Sequence, residues 1–194
     1  MLETAYKNWQ THCLPIAIFT TVILCSSIHE IGWLTFWVWM QFPVYLIHEM
    51  EEHAWPGGFQ KSVNEVIFKS TVPNFPLTHV HVFWINIPFI WVLFPLIAVL
   101  SQNWNMNFAA AIVLFSLFNA TLHILSGIIR RRYSPGLVAS IFLNYPAGIY
   151  ALFLLHEDGH LNLSIFLYAF LFALCGHLGM IGYVLWSRHK GQTI

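Results

Sequence analysis

Residues 107–132 read NFAAAIVLFSLFNATLHILSGIIRRR. The part from 107 to 128 contains no Asp, Glu, Lys or Arg, and three consecutive arginines follow at 130–132. A helix needs about 20 mostly apolar residues to cross the hydrocarbon core of a bilayer. The stretch is therefore predicted to form a transmembrane helix whose arginine end lies at the membrane surface.

The composition of the whole chain supports this interpretation. Of its 194 residues, 58% are hydrophobic and only 8% are charged, with 8 basic residues balanced by 8 acidic ones. A soluble domain has about a quarter of its residues charged. The composition thus excludes an ordinary soluble, disordered or nucleic-acid-binding protein and makes the lipid bilayer the expected partner. The chain nevertheless carries 11 histidines, and these raise the question of function.

Further apolar segments give the predicted architecture. Backbone groups in lipid must be hydrogen-bonded within the protein, and long continuous apolar runs favour helices over a barrel. The first run is interpreted as a retained span because no small-x-small cleavage site follows it. The sequence predicts an all-α polytopic membrane bundle, a single domain of residues 1–194 with six transmembrane helices at about 12–28, 31–50, 78–100, 107–128, 136–155 and 162–187.

The basic residues predict the orientation of this bundle. With six spans, every lysine and arginine lies on one side of the membrane, and cytoplasmic loops are the ones enriched in these residues. Both termini are therefore predicted to be cytoplasmic. The apolar spacing of Phe59, Val63 and Val66 predicts a short helix in the cytoplasmic interface. Short loops favour a bacterial inner membrane. The basic residues are Lys7, Lys61, Lys69, Arg130, Arg131, Arg132, Arg188 and Lys190.

The second span ends in an acidic, histidine-containing segment, HEMEEH at residues 48–53. At about 100° per residue, His48, Glu51 and Glu52 share one helical face, whereas Glu49 and His53 point elsewhere. An imidazole and a carboxylate one turn apart can bind the same metal ion or pass a proton between them. The alternative is a charged helix end that is solvated by headgroups and water.

The fourth span places a second polar face at a similar depth. Asn119 and His123 are one turn apart, and His123 lies shortly before the arginines, as His48 lies near the end of its own span. Ionisable groups in lipid should face one another or a cavity. The metal ligands predicted from this arrangement are His48, Glu52 and His123. A packing or hydrogen-bonding role is the alternative for His123.

Other polar residues in the same half of the membrane are predicted to support the site or contact substrate. One arginine of the 130–132 loop could hold a phosphate or carboxylate, although membrane anchoring explains these arginines more simply. Interhelical hydrogen bonding is the favoured role of His177. A two-metal site would need more carboxylates than this pattern provides. The candidates are His79, His81, Asn86, Arg132, Tyr133, Asn144 and His177.

Four motifs occur in order along the chain: His48-x-x-Glu51-Glu52, Trp55-Pro56-Gly57-Gly58-Phe59, Asn119-x-x-x-His123 and Tyr133-x-Pro135-Gly136. Together, over about residues 40–150, they resemble the HXXEE family of multi-pass membrane proteins. The family's third motif is YxPGxxT, and this chain has Ala139 at the threonine position, followed by Ser140. The resemblance implies a multi-pass membrane protein and an enzymatic role for the polar motifs, but it supplies neither a substrate nor a reaction.

The first functional hypothesis is a membrane-embedded metal-dependent enzyme, with a hydrolase favoured. His48, His123 and a glutamate would hold a divalent metal with one position open for water. The predicted catalytic residues are Glu51, Glu52 and Asn119. One glutamate would act as general base, and Asn119 would orient a ligand or polarise a carbonyl. Zn²⁺ is favoured, while iron and an oxidative reaction suit the same ligands. The depth of the site indicates a lipid or lipid-like substrate.

The second hypothesis is a non-catalytic membrane protein. Chains of histidine and glutamate in transmembrane helices also form proton relays. A proton or ion pathway, a small-solute transporter or an assembly factor would therefore fit the same residues. Transporters often contain paired repeats and broken helices, and the sequence contains no internal repeat. Metal analysis of the purified protein distinguishes the two hypotheses.

Overall fold

The computed structural model describes residues 2–189, apart from the side chain of His189, and this part of the chain contains helices and no β-strand. The predicted all-α class is thus confirmed for these residues, while Lys190 lies outside them. The α-helices are α1 (Leu2–Asn8), α2 (Cys13–Ser26), α3 (Ile28–Ile31), α4 (Trp33–His53), α5 (Phe59–Val66), α6 (His79–Asn86), α7 (Phe94–Asn103), α8 (Ala109–Arg130), α9 (Leu137–Ala139), α10 (Tyr145–Glu157) and α11 (Leu163–His189).

Long apolar helices make this an integral membrane protein. Within the described residues, the helices that are long and apolar enough to cross a bilayer are Leu2–Ser26, His79–Asn103, Met106–Arg130, Leu137–Glu157 and Leu163–Arg188. They correspond to five of the six predicted spans. The predicted second span is α4, which is 21 residues long but is less apolar because it carries Gln41 and an acidic C-terminal end.

Proline residues shape two of the long helices without ending them. The π-helical segment Ile87–Leu93 joins α6 to α7, and the π-helical segment Ser140–Asn144 joins α9 to α10. Pro88 lies within the first segment, and Pro146 follows the second. Proline lacks a backbone N–H and clashes with the preceding turn, and a wider turn accommodates both defects. The prolines therefore produce bulges inside continuous helices.

Helix α4 lies at the centre of the structure, where it packs against α2, α7, α8 and α10, and α8 packs in turn against α11. Buried aromatic rings join these helices. The ring centroid of Tyr45 lies 5.0 Å from that of Phe94, and Phe94 lies 5.9 Å from Phe115. Edge-to-face rings at such distances favour a fixed arrangement. This core holds the C-terminal part of α4 beside the C-terminal part of α8.

Candidate metal centre

Three buried side chains from two helices meet where α4 and α8 lie side by side. Glu52 Oε1 is 2.8 Å from His123 Nε2 and 3.6 Å from His48 Nε2. The residues are 0% (His48), 4% (Glu52) and 6% (His123) exposed. One ligand atom from each lies within 4.8 Å of the others, so the group could hold a metal ion. The sequence expectation that His48 and His123 share one depth agrees with this contact.

The amide of Asn119 links this group to the last helix. Its Nδ2 is 3.0 Å from His48 Nε2, and its Oδ1 is 3.3 Å from His177 Nε2. On the other side of the His177 ring, Nδ1 is 2.8 Å from the carbonyl of Ala173 and donates to it. Asn119 thus contacts the same ring nitrogen of His48 that faces Glu52. That nitrogen has one lone pair, so Asn119 would have to release it for it to bind a metal, while His177 contacts the other end of the Asn119 amide.

A tight turn between α8 and α9 closes over the same three side chains. Gly136 has φ +87°, a left-handed conformation that favours glycine. A Cβ atom at this position would lie 2.8 Å from His48 Cε1 and 3.0 Å from both Glu52 Cγ and His123 Nδ1. The preceding residue, Pro135, also interacts with the His123 ring through its backbone. The Tyr-x-Pro-Gly motif thus supplies the wall of the candidate site.

Glu51 faces this turn rather than the two histidines. One of its oxygens accepts hydrogen bonds from the Tyr133 hydroxyl at 2.7 Å and the Val138 amide at 3.0 Å, and the other accepts from the Ala139 amide at 2.6 Å. Partial desolvation of the phenol, which stays 44% exposed, and the adjacent Glu51 carboxylate both raise the pKa of Tyr133, so its hydroxyl stays protonated and donates. The predicted role of Glu51 in catalysis stays a prediction, and its observed contacts hold the loop.

Glu49 and His53, which the helical wheel directs elsewhere, lie beside the first group. Together the five side chains form one buried cluster: His48, Glu49, Glu52, His53 and His123. His53 Nε2 lies 3.3 Å from Glu49 Oε2 and 3.6 Å from Glu52 Oε2. With Glu52 they form a second group that could hold a metal ion. The interpretation that Glu49 and His53 point away is therefore wrong. Their spacing of four residues, the same as that of His48 and Glu52, is the signal that could have identified them.

Two of the supporting candidates reach the cluster or its immediate neighbours. Asn86 on α6 has its Nδ2 3.2 Å from His53 Nε2. His177 reaches the cluster through Asn119. Asn86 therefore contacts the same nitrogen of His53 that faces Glu49 and Glu52, and His177 is linked to His48 by the Asn119 amide.

Other supporting candidates have partners elsewhere. His81 Nδ1 is 2.9 Å from the Thr78 hydroxyl at the start of α6, and its Nε2 is 2.6 Å from the Ser187 hydroxyl on α11. Asn144 donates to Ser116 at 3.0 Å. These contacts connect helices, and none of them includes a residue of the cluster.

A cavity of about 220 Å³ adjoins the cluster. Glu49, Glu52 and His123 contribute polar lining, and Arg130 lines it as well while donating to the Ser62 hydroxyl at 2.8 Å. Arg132, the arginine predicted from the sequence, is exposed, and His79 is half-buried at the start of α6. Much of the remaining wall is aliphatic and includes Val63, Val66, Leu122, Met180, Ile181 and Val184.

Comparison with known proteins identifies a family. A family model described as "Protein of unknown function with HXXEE motif" matches residues 39–151. The match covers more than half of the chain and includes both groups of buried His and Glu residues together with the turn at Gly136. No curated protein and no solved structure matches the chain. With its buried His48, Glu51 and Glu52 on α4, this integral membrane protein belongs to the HXXEE family.

Proposed function

We propose that this protein is a membrane-embedded, metal-dependent enzyme, a hydrolase that acts at the level of the cytoplasmic headgroups. The observation that carries the proposal is the buried convergence of His48, Glu52 and His123 from two different helices. Two imidazoles and one carboxylate are a common ligand set of catalytic zinc, in which a fourth position stays open for water.

The charges around the cluster support a bound cation. Among residues 2–189, Glu49 and Glu52 form ion pairs with histidines alone, and no lysine or arginine lies within ion-pair distance of them. Neutral histidines, the form that binds metal, leave these buried carboxylates without a compensating charge, which costs several kcal/mol. A divalent cation among these side chains offsets that cost.

The interatomic distances also suit a metal. Ligand atoms about 2 Å from a tetrahedral Zn²⁺ lie about 3.3 Å from one another. The separation of 3.6 Å between Glu52 Oε1 and His48 Nε2 is close to this value, whereas the 2.8 Å contact with His123 Nε2 is shorter. Binding would thus move Glu52 and His123 apart by a small rotation. Zn²⁺ is favoured over iron for this site, and the Asn119 amide would release His48 Nε2 when that nitrogen binds the ion.

The bound ion would lower the pKa of a water molecule and so supply the nucleophile. A carboxylate near the open position would accept the proton. Glu51 is the residue expected from the sequence, and Glu49 lines the adjoining cavity. Asn119 also lines that cavity, so its amide is available to a substrate carbonyl.

The adjoining cavity supports a lipid or lipid-like substrate. Its aliphatic walls accept an acyl chain, while Glu52 and His123 lie on the same surface. Arg130 is a cationic residue of the same lining and carries hydrogen-bond donors for a phosphate or carboxylate. An amphiphile could therefore place its apolar chain in the cavity and its polar bond beside the metal.

The proposed topology is a single membrane domain in which α4 is a sixth span and both termini are cytoplasmic. At about 1.5 Å per residue, a helix of the length of α4 spans about 30 Å, which matches a hydrocarbon core. All basic residues of the chain then lie on one side, and α5 lies in the cytoplasmic interface. A bacterial inner membrane suits the short loops.

Reporter fusions test this topology. Fusions after Asn103 and after His160 should give alkaline phosphatase activity and no fluorescence from a cytoplasmic reporter, whereas a fusion after Arg132 should give the reverse. If α4 does not cross the membrane, the segments before and after it lie on the same side. The Asn103 fusion would then report a cytoplasmic location. That result would overturn the six-span arrangement while leaving the metal site unaffected.

Metal analysis tests the enzyme proposal. Tag-free protein purified in detergent under metal-replete conditions should carry bound Zn²⁺ or a similar ion, measured by mass spectrometry of the elements. The double variant His48→Ala/His123→Ala should lose about one ion per chain because a single carboxylate retains little affinity. The metal-loaded protein should also release products from a polar lipid extract, and chelation should stop that release.

The matched control for this experiment is His156→Ala/His160→Ala, which removes one histidine from the last turn of α10 and one from the loop that follows it. It should retain both the metal and the activity. Circular dichroism and gel filtration check that each variant is folded. A metal-free wild-type protein would contradict the proposal and would favour a non-catalytic role such as a proton pathway.

A further inference from the structure

The carboxylate of Glu52 faces different histidines with its two oxygens. Oε1 lies 2.8 Å from His123 Nε2 and 3.6 Å from His48 Nε2, whereas Oε2 lies 3.6 Å from His53 Nε2. On the Oε2 side, Glu49 Oε2 lies 3.3 Å from the same nitrogen of His53. Glu52 is therefore shared between two groups of potential ligands.

The spacing along α4 explains why two groups arise side by side. His48 and Glu52 are four residues apart, and so are Glu49 and His53, so the two pairs form adjacent rows on the helix surface. Glu52 and His53 are consecutive, which lets the second row reach the free oxygen of Glu52. One helix thus supplies four of the five side chains, and His123 on α8 completes the first group.

The second group is enclosed by other parts of the chain. The ring of Trp9 lies 5.4 Å from the His53 ring, and that of Phe59 lies 5.3 Å from it on a perpendicular plane. Asn86 approaches the same histidine from α6. The side chains of His53 and Glu49 are only 7% and 1% exposed. A helix end solvated by headgroups would leave these groups open to water.

Two oxygens of the cluster are buried and accept no hydrogen bond: Glu49 Oε2 and Glu52 Oε1. Both lie close to imidazole nitrogens, but at positions without hydrogen-bond geometry. Ligands of one metal ion face that ion rather than each other, and they lie about 3.3 Å apart at tetrahedral zinc. The separations of 3.3 Å and 3.6 Å around His53 agree with this spacing.

We propose that the protein binds a second divalent metal ion through Glu49, Glu52 and His53, and that Glu52 bridges the two ions with its two carboxylate oxygens. The inference rests on the proposed function for the first ion, at His48, Glu52 and His123. Two-metal hydrolytic sites hold their ions about 3.5–4 Å apart and clamp both the attacking and the leaving oxygen. A pair of dications beside Arg130 would favour an anionic ester as the substrate.

Counting bound ions tests this inference directly. Tag-free protein is stripped with a chelator in detergent and then titrated with Mn²⁺ or Zn²⁺, followed by calorimetry and elemental analysis. Wild-type protein should bind two ions per chain, and the Mn²⁺ form should give the exchange-coupled paramagnetic resonance spectrum of adjacent ions. The variants His53→Ala and Glu49→Gln should each bind one ion per chain and give the six-line spectrum of an isolated Mn²⁺.

The control is again His156→Ala/His160→Ala, because excess metal could bind at these two histidines, which belong to neither proposed ligand set. It should still bind two ions and give the coupled spectrum. If the wild-type protein binds one ion per chain and His53→Ala still binds it, the second site is overturned and the proposed function stands. A wild-type protein with no ion would overturn both. The number of ions bound by the wild-type protein and its paramagnetic resonance spectrum are measured without any variant. They distinguish one bound ion from two even if a variant misfolds.

Discussion

Replacing Gly136 with alanine is expected to lower metal affinity by about 10- to 100-fold, the loss typical when groups behind a metal ligand are disturbed. The new methyl group would lie 2.8 Å from His48 Cε1 and 3.0 Å from His123 Nδ1. Because both rings belong to the proposed ligand set, either the loop or the ligands must shift. The substitution removes no hydrogen bond or ion pair, so the loss of metal affinity would come from steric overlap alone.

The same substitution should reduce stability by about 3 kcal/mol. A residue other than glycine in the left-handed region costs about 1–2 kcal/mol, and overpacking a tight site costs about 1–3 kcal/mol. The thermal unfolding midpoint in detergent, followed through tryptophan fluorescence, measures the combined loss. Metal titration of the same sample measures the change in affinity.

Gly159 offers a matched control for backbone strain. Its φ is +76°, close to that of Gly136, but no atom lies within 4 Å of a Cβ placed there. Gly159→Ala should therefore lose only the backbone contribution of about 1–2 kcal/mol and bind metal as the wild type does. If Gly136→Ala behaves like Gly159→Ala in both measurements, the turn at 136 does not form the wall of the metal site.

The sequence predicts the pairing of α4 and α8 because the thickness of the bilayer fixes where each transmembrane helix begins and ends. Apolar runs locate the helix ends, and the distance of His48 and His123 from those ends gives their depth. A shared depth does not prove a contact, but it leaves few arrangements for costly polar groups. Depth along the membrane normal therefore identifies α4 and α8 as neighbours and predicts three side chains that lie together.

The helical periodicity of α4 does not identify Glu49 and His53, and the reason is physical. A helical wheel assigns one face to the protein interior and treats the remainder as exposed. Here the end of α4 is covered from several directions, by Trp9 and Phe59 among others. These contacts come from segments outside α4 that pack against its end. The apolar periodicity of α4 itself carries no information about their position. A wide buried face consequently carries two rows of ligands instead of one.

Arg130 and Gly136 show two other limits of the sequence. Consecutive arginines at 130–132 look equivalent in sequence, and only the end point of α8 decides that Arg130 lines the cavity while Arg132 is exposed. Gly136 belongs to a recognisable motif, but the reason for a glycine there is the close approach of three ligand side chains. That reason becomes visible only when the loop is seen against α4.

Replacing Glu51 with alanine is expected to destabilise the protein by about 5 kcal/mol. The carboxylate accepts one hydrogen bond from Tyr133 and two from the amides of Val138 and Ala139. Hydrogen bonds to a charged group contribute about 1.5–3 kcal/mol each, and buried amides left without an acceptor add to the loss. Metal affinity should fall as well, because the loop that carries Gly136 would no longer be held against the cluster.

Graded substitutions separate this structural role from catalysis. Glu51→Gln keeps the size of the side chain, but it places an amide N–H among donors and should cost about 2 kcal/mol. Tyr133→Phe removes one of the three hydrogen bonds, a partly exposed one, and should cost about 1.5 kcal/mol. If the residue holds the loop, losses of stability and of metal affinity should follow this order, with alanine the most severe, and turnover should fall in parallel with metal content.

A general base would behave differently in the same series. Glu51→Gln would then keep wild-type stability and a full complement of metal, yet release almost no product from a polar lipid extract. Tyr133→Phe would retain most of its activity, because the carboxylate itself would still be present. Unfolding midpoints, metal content and product release measured on the three variants thus assign Glu51 to one role. The contacts of both its oxygens with residues 133–139 are the reason to expect the structural role.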